Sequence, residues 1–329
     1  MDPWSELSLA LTSALQQAWP QIQGFMSFIS SLGTEEFYLF VMPIFYWCVD
    51  KRLGKFLGYL FLLSVMLNTM VKGIFRQPRP FWIDPDIGVG DHEGYGLASG
   101  HTQFAATIYF FLAGWYGKFW LWLAAIVLVI LMGLSRIYLG AHFIQDVLAG
   151  ALIAVLLLIC VAIWQHYFAA GFDKRNLGRR LLLVVSIPIG LTAIYAGIML
   201  LLGTPDLSAP WASYIPAADL SARETMATSL GALLGFGVGI MFEGSRVRFR
   251  TEGSFWQRAA RYALGIAVTV ALWAGLDAIF PAEPEWLGLP LRVIRYFIIL
   301  LWVAYFAPMV FVKLKLATAD PEPEIRVTL

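Results

Sequence analysis

Long runs of apolar residues alternate with short polar connections along most of the chain. A helix that crosses the roughly 30 Å hydrocarbon core of a bilayer needs about 20 predominantly apolar residues. Runs that approach or reach this length occupy residues 35–49, 54–75, 101–117, 119–138, 143–165, 181–202, 224–242, 260–280 and 292–312. The pattern therefore predicts an all-α fold, a polytopic membrane helical bundle with about nine spans.

The N-terminal segment differs from these runs because its apolar positions recur at helical spacing. Before Pro20 they fall on one side of a helix, at Trp4, Leu7, Leu11, Leu15 and Trp19. This stripe predicts an N-terminal amphipathic helix that lies in the outer membrane interface. Residues 1–33 include no Lys or Arg, so they lack the positive region of a secretory signal, and we expect them to remain in the mature chain.

The positions of Lys and Arg indicate the orientation of the spans, because short cytoplasmic loops retain positive charge. If the turn at Asp50-Lys51-Arg52 is cytoplasmic, alternate connections hold most of the 23 Lys and Arg residues. Nine spans then leave the N-terminus outside and the C-terminal tail inside. We expect a multi-pass protein of a bacterial inner membrane, with its polar clusters on the extracytoplasmic side.

The composition supports a membrane protein and argues against nucleic acid as a partner. Hydrophobic residues make up 59% of the chain and charged residues 14%, with a mean hydropathy of +0.71. The net charge of +1 gives no field for a polyanion, so nucleic acid is not an expected partner. Cys48 and Cys160 both lie in apolar runs, which excludes a disulfide framework.

A basic connection at 166–180 divides the chain into two halves. We expect interfacial helices at 1–33, a core of five spans at 34–166, and a membrane region with a cytoplasmic tail at 167–329. The polar clusters described next all fall in the first half. The second half shows none of them.

Ionisable residues at membrane depth are costly and mark functional sites by default. They form three groups: Lys72 with Arg79-Pro80, then Ser99-Gly100-His101, then Ser135-Arg136 with His142 and Asp146. The stretch between the second and third groups is long enough for one helix, a tight turn at Gly117-Lys118 and a helix back. All three groups are therefore expected at one membrane face.

The residue types in these groups suit a phosphate group. Asp146 follows His142 by four residues, so its carboxylate can accept a hydrogen bond from one ring nitrogen and leave the other as a nucleophile. Lys72, Arg79 and Arg136 would repel one another unless they held an anion with several acceptor oxygens. A helix that begins near Ser99 and Gly100 also favours an anion at its N-terminus.

The three groups resemble the signature of the type 2 phosphatidic acid phosphatase (PAP2) family, in its membrane lipid phosphate phosphatase branch. That signature reads K-x6-R-P, P-S-G-H and S-R-x5-H-x3-D. The chain matches it within residues 35–165, except that Ala98 stands where the family usually has proline. Residues 166–329 carry no part of the signature.

The resemblance implies a mechanism and a role for each residue. His142 would attack phosphorus to form a phosphohistidine, Asp146 would orient His142, and His101 would protonate the leaving oxygen and later activate water. Five residues would hold the phosphoryl group: Lys72, Arg79, Ser99, Gly100 and Arg136. The resemblance implies neither a metal nor another cofactor.

The implied function is a membrane-embedded phosphatase for a lipid phosphate or a polyprenyl diphosphate. Membrane lipids are the other expected partners, and the sequence leaves open whether the protein forms a homo-oligomer. One alternative is a lipid phosphotransferase, in which an acceptor hydroxyl replaces water. Another is a transporter or lipid-binding membrane protein that reuses the phosphate pocket. A transporter is expected to carry charges at mid-membrane in broken helices, and residues 181–312 show no clear charge there.

Several nearby residues have less defined roles. The acidic loop at 84–93, which includes Asp91 and His92, is more typical of a solvated loop than of a metal site. Gln103 follows His101 closely and is a candidate pocket residue. Arg76 lies outside the signature, so a headgroup or helix-end contact is expected. For the connection at 203–222, a plain interfacial loop is preferred to one that overhangs the site.

Overall fold

The computed structural model describes residues 3–90 and 92–322, and this part of the chain is helical. Its α-helices are α1 (Pro3–Ala18), α2 (Gln23–Ser31), α3 (Glu35–Ile44), α4 (Lys51–Phe75), α5 (Pro80–Ile83), α6 (Gly100–Tyr116), α7 (Phe119–Tyr138), α8 (Ile144–Tyr167), α9 (Ala169–Asp173), α10 (Leu177–Leu202), α11 (Ile215–Phe242), α12 (Phe255–Ile279), α13 (Glu285–Leu301) and α14 (Ala307–Lys313). Between residues 3 and 322, Asp91 apart, there is no β-strand, and Phe249 and Ala319 form an isolated bridge. The predicted all-α class is confirmed, while Asp91 and tail residues 323–329 lie outside the described residues.

Seven helical segments among the described residues are long and apolar enough to cross a membrane. They contain α4, α7, α8, α10, α11, α12 and α13, and each corresponds to one predicted run. The other two runs form shorter helices: α3 continues only to Val49 through a π-helical turn, and α6 has 17 residues. The polytopic bundle is confirmed, and the count of nine spans stays a prediction.

The tight turn predicted between two of these helices is present. Gly117 ends α6 in the left-handed region, with φ of 62°, and its N–H donates to Ala113 O at 2.9 Å. Glycine adopts this conformation without a Cβ penalty, so α7 can begin two residues later. The two helices pack along their length, which returns the chain to the face where α6 began.

The chain divides into two compact units, each formed by three segments. The first contains Met1–Tyr38, Ser64–Cys160 and Ala196–Thr225, and the second contains Leu39–Leu63, Val161–Tyr195 and Met226–Leu329. Every residue that the signature assigns to the site belongs to the first unit.

Small residues bring the helices of the first unit close together. A buried cluster joins α2, α6, α7 and α8 through Ile29, Ala105, Ala106, Val129, Met132 and Ala154. At Gly150 on α8, a Cβ would come within 2.5 Å of Ser99 O. The absence of a side chain at Gly150 therefore lets α8 meet the start of α6.

In the second unit, buried charges have partners. Glu243 is fully buried and pairs with Lys51 and Lys55 at 3.2 and 3.6 Å. Arg261 is also fully buried and donates hydrogen bonds to the carbonyl oxygens of five residues. These interactions compensate for the loss of hydration of the charged groups.

In the N-terminal segment, residues Pro3–Ala18 form α1. Trp4, Leu7 and Leu11 are exposed on one side of this helix. Its buried residues are polar, namely Ser5, Ser8 and Thr12. The helix therefore presents a polar face to the protein and an apolar face to the surroundings, and its interfacial location stays a prediction.

Candidate active site

The polar groups of the signature meet in the first unit, at the ends of helices. Lys72 lies in the last turn of α4, Arg79 directly precedes α5, Arg136 lies in the last turn of α7, and Asp146 lies in the first turn of α8. Arg79 is extended, with φ of −98° and ψ of 159°, as expected for a residue before proline. The chain therefore leaves α4 in an extended path that brings Arg79 to the other groups.

His142 and Asp146 form the pair that their spacing predicts. Both are 1% exposed, and His142 Nδ1 lies 3.4 Å from Asp146 Oδ2. The same carboxylate oxygen accepts a hydrogen bond from the main-chain N–H of Phe143 at 3.0 Å. The carboxylate is thus fixed on one side of the imidazole ring.

The second ring nitrogen of His142 faces Arg79. Arg79 Nη1 lies 3.3 Å from His142 Nε2. Because a guanidinium can only donate, Nε2 is the acceptor and the ring proton lies on Nδ1, toward Asp146. This tautomer leaves the lone pair of Nε2 directed away from Asp146.

Main-chain carbonyls hold the Arg79 guanidinium in place. Its Nε donates to Gly94 O at 2.7 Å, Nη1 donates to Ala141 O at 3.0 Å, and Nη2 donates to Glu93 O. Arg79 is only 3% exposed, so this cation is desolvated and depends on protein acceptors. The loop at 92–94 therefore helps to position it.

Arg136 is held by two side chains that lie outside the signature. Its Nη1 donates to Ser30 Oγ, and its Nη2 lies 3.3 Å from His92 Nδ1. Its Nε is buried, and none of the described residues offers that N–H an acceptor. The Nε–H of Arg136 is thus available for an anion.

The start of α6 is joined to the same site. Ser99 is the N-cap residue of α6, its Oγ accepts from Thr102 N at 3.4 Å, and its own N–H donates to Asp146 O at 2.9 Å. Gly100 is the first residue of the helix and is buried, and His101 follows it. These contacts place the helix N-terminus beside the pair formed by Asp146 and His142.

Three cations and a second histidine act electrostatically on His142. Burial lowers the pKa of His142 well below its usual range, and the cations Arg79, Arg136 and Lys72 and the ring of His101 lower it further. The imidazole is therefore held neutral, which is the protonation state that a nitrogen nucleophile requires.

Other residues near the signature have structural contacts. Gln103 is fully buried, where it donates to Ser64 O at 2.8 Å and accepts from Asn68 at 2.9 Å, so it links α6 to α4. Arg76 Nη2 lies 3.9 Å from Met199 Sδ. Within the described ranges, no three His, Cys, Asp or Glu side chains are grouped to hold a metal ion. His92 contacts Arg136 instead.

The connection at 203–222 packs on the loops of the site instead of lying apart from them. The Tyr214 ring stacks on Trp82 at 5.1 Å between centroids, with 6° between the planes. Tyr95 Oη donates to Asp219 Oδ1 at 2.7 Å. Trp82 and Tyr95 follow closely after Arg79 and Gly94, so this connection braces the segments that hold the arginine.

Fold and site together define a polytopic membrane protein with a histidine and aspartate pair in a cationic pocket. The PAP2 superfamily model matches residues 53–170, and the model for the PAP2 superfamily phosphatase transmembrane extension matches residues 227–319. The chain therefore contains a PAP2 superfamily domain and a PAP2 transmembrane extension. The second match lies in residues 166–329, the half of the chain that carries no part of the signature.

Curated relatives with named activities share part of this sequence. The probable sphingosine-1-phosphate phosphatase of Dictyostelium discoideum is 29% identical over 43% of this chain and 38% of its own length. Phosphatidylglycerophosphatase B of Bacillus subtilis is 28% identical over 49% of this chain and 79% of its length. The undecaprenyl-diphosphatase of Sulfolobus acidocaldarius is 28% identical over 40% of this chain and 65% of its length.

The matched region spans less than half the length of the sphingosine-1-phosphate phosphatases. It covers 38% of the Dictyostelium protein and 41% of sphingosine-1-phosphate phosphatase 2 of Mus musculus. All four of these relatives are named for the removal of phosphate from a lipid.

Proposed function

We propose that this protein is a lipid phosphate or diphosphate phosphatase that forms a phosphohistidine on His142. The observation that carries this proposal is the placement of His142 between Asp146 and Arg79, at 3.4 and 3.3 Å. The carboxylate fixes the tautomer, while the guanidinium marks where phosphate oxygens would bind next to Nε2. A nucleophile, an orienting base and an oxyanion donor are thus aligned.

In the first step, the lone pair of His142 Nε2 forms a bond to phosphorus as the bond from phosphorus to the leaving oxygen breaks. His101 gives its proton to that oxygen, and Asp146 stabilises the positive charge on the His142 ring. The equatorial oxygens of the transition state accept hydrogen bonds from Lys72, Arg79, Arg136, Ser99 and the Gly100 N–H. The buried Nε of Arg136 supports this assignment, because it lacks an acceptor among the described residues.

In the second step, His101 takes a proton from a water molecule that attacks phosphorus. The bond between nitrogen and phosphorus breaks, inorganic phosphate leaves, and His142 returns to its neutral form. Lys72, Arg79 and Arg136 supply the charge neutralisation that Mg²⁺ supplies in kinases. The scheme therefore uses no divalent ion.

The proposed substrate is a lipid. Lys72, Arg136 and Asp146 lie at the ends of helices long enough to cross a membrane, which supports a phosphate site at headgroup depth. A lipid is then held by burial of its chains, at about 0.8 kcal/mol per buried CH₂. The names of the relatives support lipid monophosphates and a polyprenyl diphosphate equally, so both belong in the test.

The activity test measures inorganic phosphate released from sphingosine 1-phosphate, phosphatidylglycerophosphate and undecaprenyl diphosphate in mixed micelles. We expect turnover that persists in a chelator and is inhibited by vanadate, which adopts the five-coordinate geometry of the transition state. Loss of turnover in chelator with recovery on addition of a divalent ion would reject the metal-free scheme. Phosphate that appears on a lipid acceptor instead of in solution would identify a phosphotransferase.

The lipid assignment has a separate test. We expect kcat/KM for a long-chain phosphate monoester to exceed that for its short-chain counterpart in one detergent, because only the long chain gains binding energy from burial. Equal turnover of the soluble compound would remove the lipid assignment and leave the phosphohistidine mechanism intact.

A further inference from the structure

Helix α1 has three different faces around its axis. The polar residues on its protein side, each buried or half-buried, are Ser5, Ser8, Thr12 and Gln16. About 110° further around the helix, Trp4, Leu7 and Leu11 are 64%, 55% and 36% exposed. Glu6 and Gln17 are exposed between these two faces. At 100° per residue, the helix therefore has a protein face, an apolar face and a water face.

The protein face of α1 bonds to the C-terminal end of α7. Gln16 Nε2 donates to Tyr138 O at 2.7 Å and to Ile87 O at 2.9 Å. Thr12 Oγ1 lies 3.0 Å from Ile137 O and 3.0 Å from Ser8 O, so its proton is shared. The last carbonyls of a helix have no partner within the helix, and α1 supplies donors to them.

The same face of α1 also bonds to the first turn of α8. The Ile144 N–H donates to Ser8 Oγ at 3.2 Å, and Gln145 Nε2 donates to Ser5 Oγ at 3.3 Å. The first N–H groups of a helix likewise lack partners within it. One face of α1 thus fastens both ends of the short connection between α7 and α8.

That connection carries His142. Its position relative to Arg79 and Asp146 depends on how the ends of α7 and α8 are held, because only five residues lie between the two helices. The polar residues of α1 touch neither the phosphate cations nor the ring of His142 in any of these bonds. Their effect on chemistry would therefore be exerted through the position of His142.

The apolar face of α1 fits a lipid leaflet. Leu148 and Leu152 on α8 are 63% and 58% exposed, so α1 borders helices whose outer surface is also apolar. Residues 1–33 include no Lys or Arg, so attachment relies on apolar insertion and not on attraction to anionic headgroups. A soluble protein partner would leave the adjoining apolar surface of α8 exposed to water.

We propose that α1 is a lipid-inserted positioning helix, which holds the His142 connection through its polar face and is itself held by lipid through Leu7 and Leu11. Insertion of the apolar face keeps the polar face seated, so the bilayer stabilises the geometry required for attack. This inference rests on the proposed phosphatase function. It assigns Ser5, Ser8, Thr12 and Gln16 as positioning residues and not as catalytic ones.

The first test compares two matched pairs of substitutions on α1, in protein reconstituted into phosphatidylcholine vesicles. Thr12→Val/Gln16→Leu removes the donors of the protein face, and Ser13→Val/Gln17→Leu removes a hydroxyl and an amide from the neighbouring positions. We expect kcat to fall about tenfold in the first pair, with KM unchanged, and to stay near wild type in the second. Thr12→Ser, which keeps the hydroxyl, is expected to retain full kcat.

The second test addresses the lipid face. Leu7→Gln/Leu11→Gln is compared with Leu200→Gln/Leu201→Gln, which alters exposed apolar residues at the end of α10. In vesicles, we expect the first pair to lower kcat for a long-chain phosphate and for a short-chain soluble phosphate alike. A rise in KM for the long-chain substrate alone would show that α1 only captures lipid, which would overturn the positioning role.

A third measurement does not depend on activity. A nitroxide is attached at Leu7→Cys or at Gln17→Cys, in protein whose Cys48 and Cys160 are replaced by Ala. We expect oxygen, which concentrates in lipid, to enhance the spin relaxation of the label at position 7. We expect an aqueous nickel reagent to enhance the spin relaxation of the label at position 17. Aqueous accessibility at both positions would overturn lipid insertion. A wild-type protein inactive on every phosphate would instead overturn the proposed function, while the labels still report on α1.

Discussion

Arg79 Nη1 and His142 Nε2 lie 3.3 Å apart, so the guanidinium contacts the nitrogen that would attack phosphorus. Three of its other four N–H donors are held by the carbonyls of Glu93, Gly94 and Ala141. A phosphoryl oxygen that binds Arg79 through Nη1 would replace His142 as the acceptor there. Arrival of substrate would therefore release the nucleophile in the place where phosphorus lies.

Replacement of Arg79 by lysine tests this relationship. Arg79→Lys keeps the positive charge but loses the planar fork that reaches both the carbonyls and a phosphate oxygen. We expect kcat/KM to fall by about 10²- to 10³-fold, the usual loss when one oxyanion donor is removed. Arg76→Lys, where the guanidinium contacts Met199 Sδ, serves as the control and should stay near wild type. Equal losses in the two variants would contradict a specific role for Arg79.

Asp146 is predicted to act by orienting His142. In Asp146→Asn the side chain keeps its size, but the amide no longer enforces a proton on Nδ1, so Nε2 loses its directed lone pair. We expect kcat for phosphate release to fall by about 10³- to 10⁴-fold, as for the orienting aspartate of a histidine-based triad, with little change in KM.

The covalent intermediate on His142 has its own measurement, a rapid alkaline quench with substrate radiolabelled in its phosphate. We expect wild type to yield a labelled histidine. Label retained in His142→Gln would exclude His142 as the nucleophile.

His92 is predicted to position Arg136. Its Nδ1 accepts from Arg136 Nη2, and a hydrogen bond to a charged group contributes about 1.5 to 3 kcal/mol. We expect His92→Ala to raise KM about tenfold or more, while His92→Asn, whose amide oxygen can accept, recovers part of the loss. His166→Ala, in the last turn of α8, is the control. A kcat loss with unchanged KM would place His92 in the chemical step instead.

The positive charges of alternate connections predict the orientation of the protein. We expect Ser208→Cys to react with an impermeant thiol reagent in intact cells and Gly178→Cys to react only after permeabilisation. Both positions lie in exposed connections or at helix ends, so accessibility decides the result. The reverse pattern would invert the topology and place the site on the cytoplasmic side.

The spans and the signature residues could be predicted because their information is local. Seven predicted runs correspond to long apolar helices, since apolar length alone decides whether a segment can cross a bilayer. His142 and Asp146 are only four residues apart, in the connection before α8 and in its first turn, so they lie side by side where that helix begins. Arg79 and Arg136 then follow from the intervals of the signature.

The partners of those residues could not be predicted in the same way. Arg79 is held largely by main-chain carbonyls, which every residue type carries, so sequence provides no signal for them. Ser30 and His92 reach Arg136 from distant segments, and only the fold determines that contact. The polar stripe of α1 recurs at helical spacing, but the sequence provides no signal for its contacts with the ends of α7 and α8.

The buried Nε–H of Arg136 has a consequence for how the catalytic cycle ends. A buried donor without an acceptor costs about 1 to 3 kcal/mol, and any tetrahedral oxyanion that enters the pocket recovers this energy. Inorganic phosphate has the same kind of oxygens as the substrate headgroup, but it lacks the apolar chains whose burial adds binding energy for a lipid. If the protein is the proposed phosphatase, we therefore expect inorganic phosphate to be a competitive inhibitor, which raises the apparent KM for the lipid as it accumulates and leaves kcat unchanged.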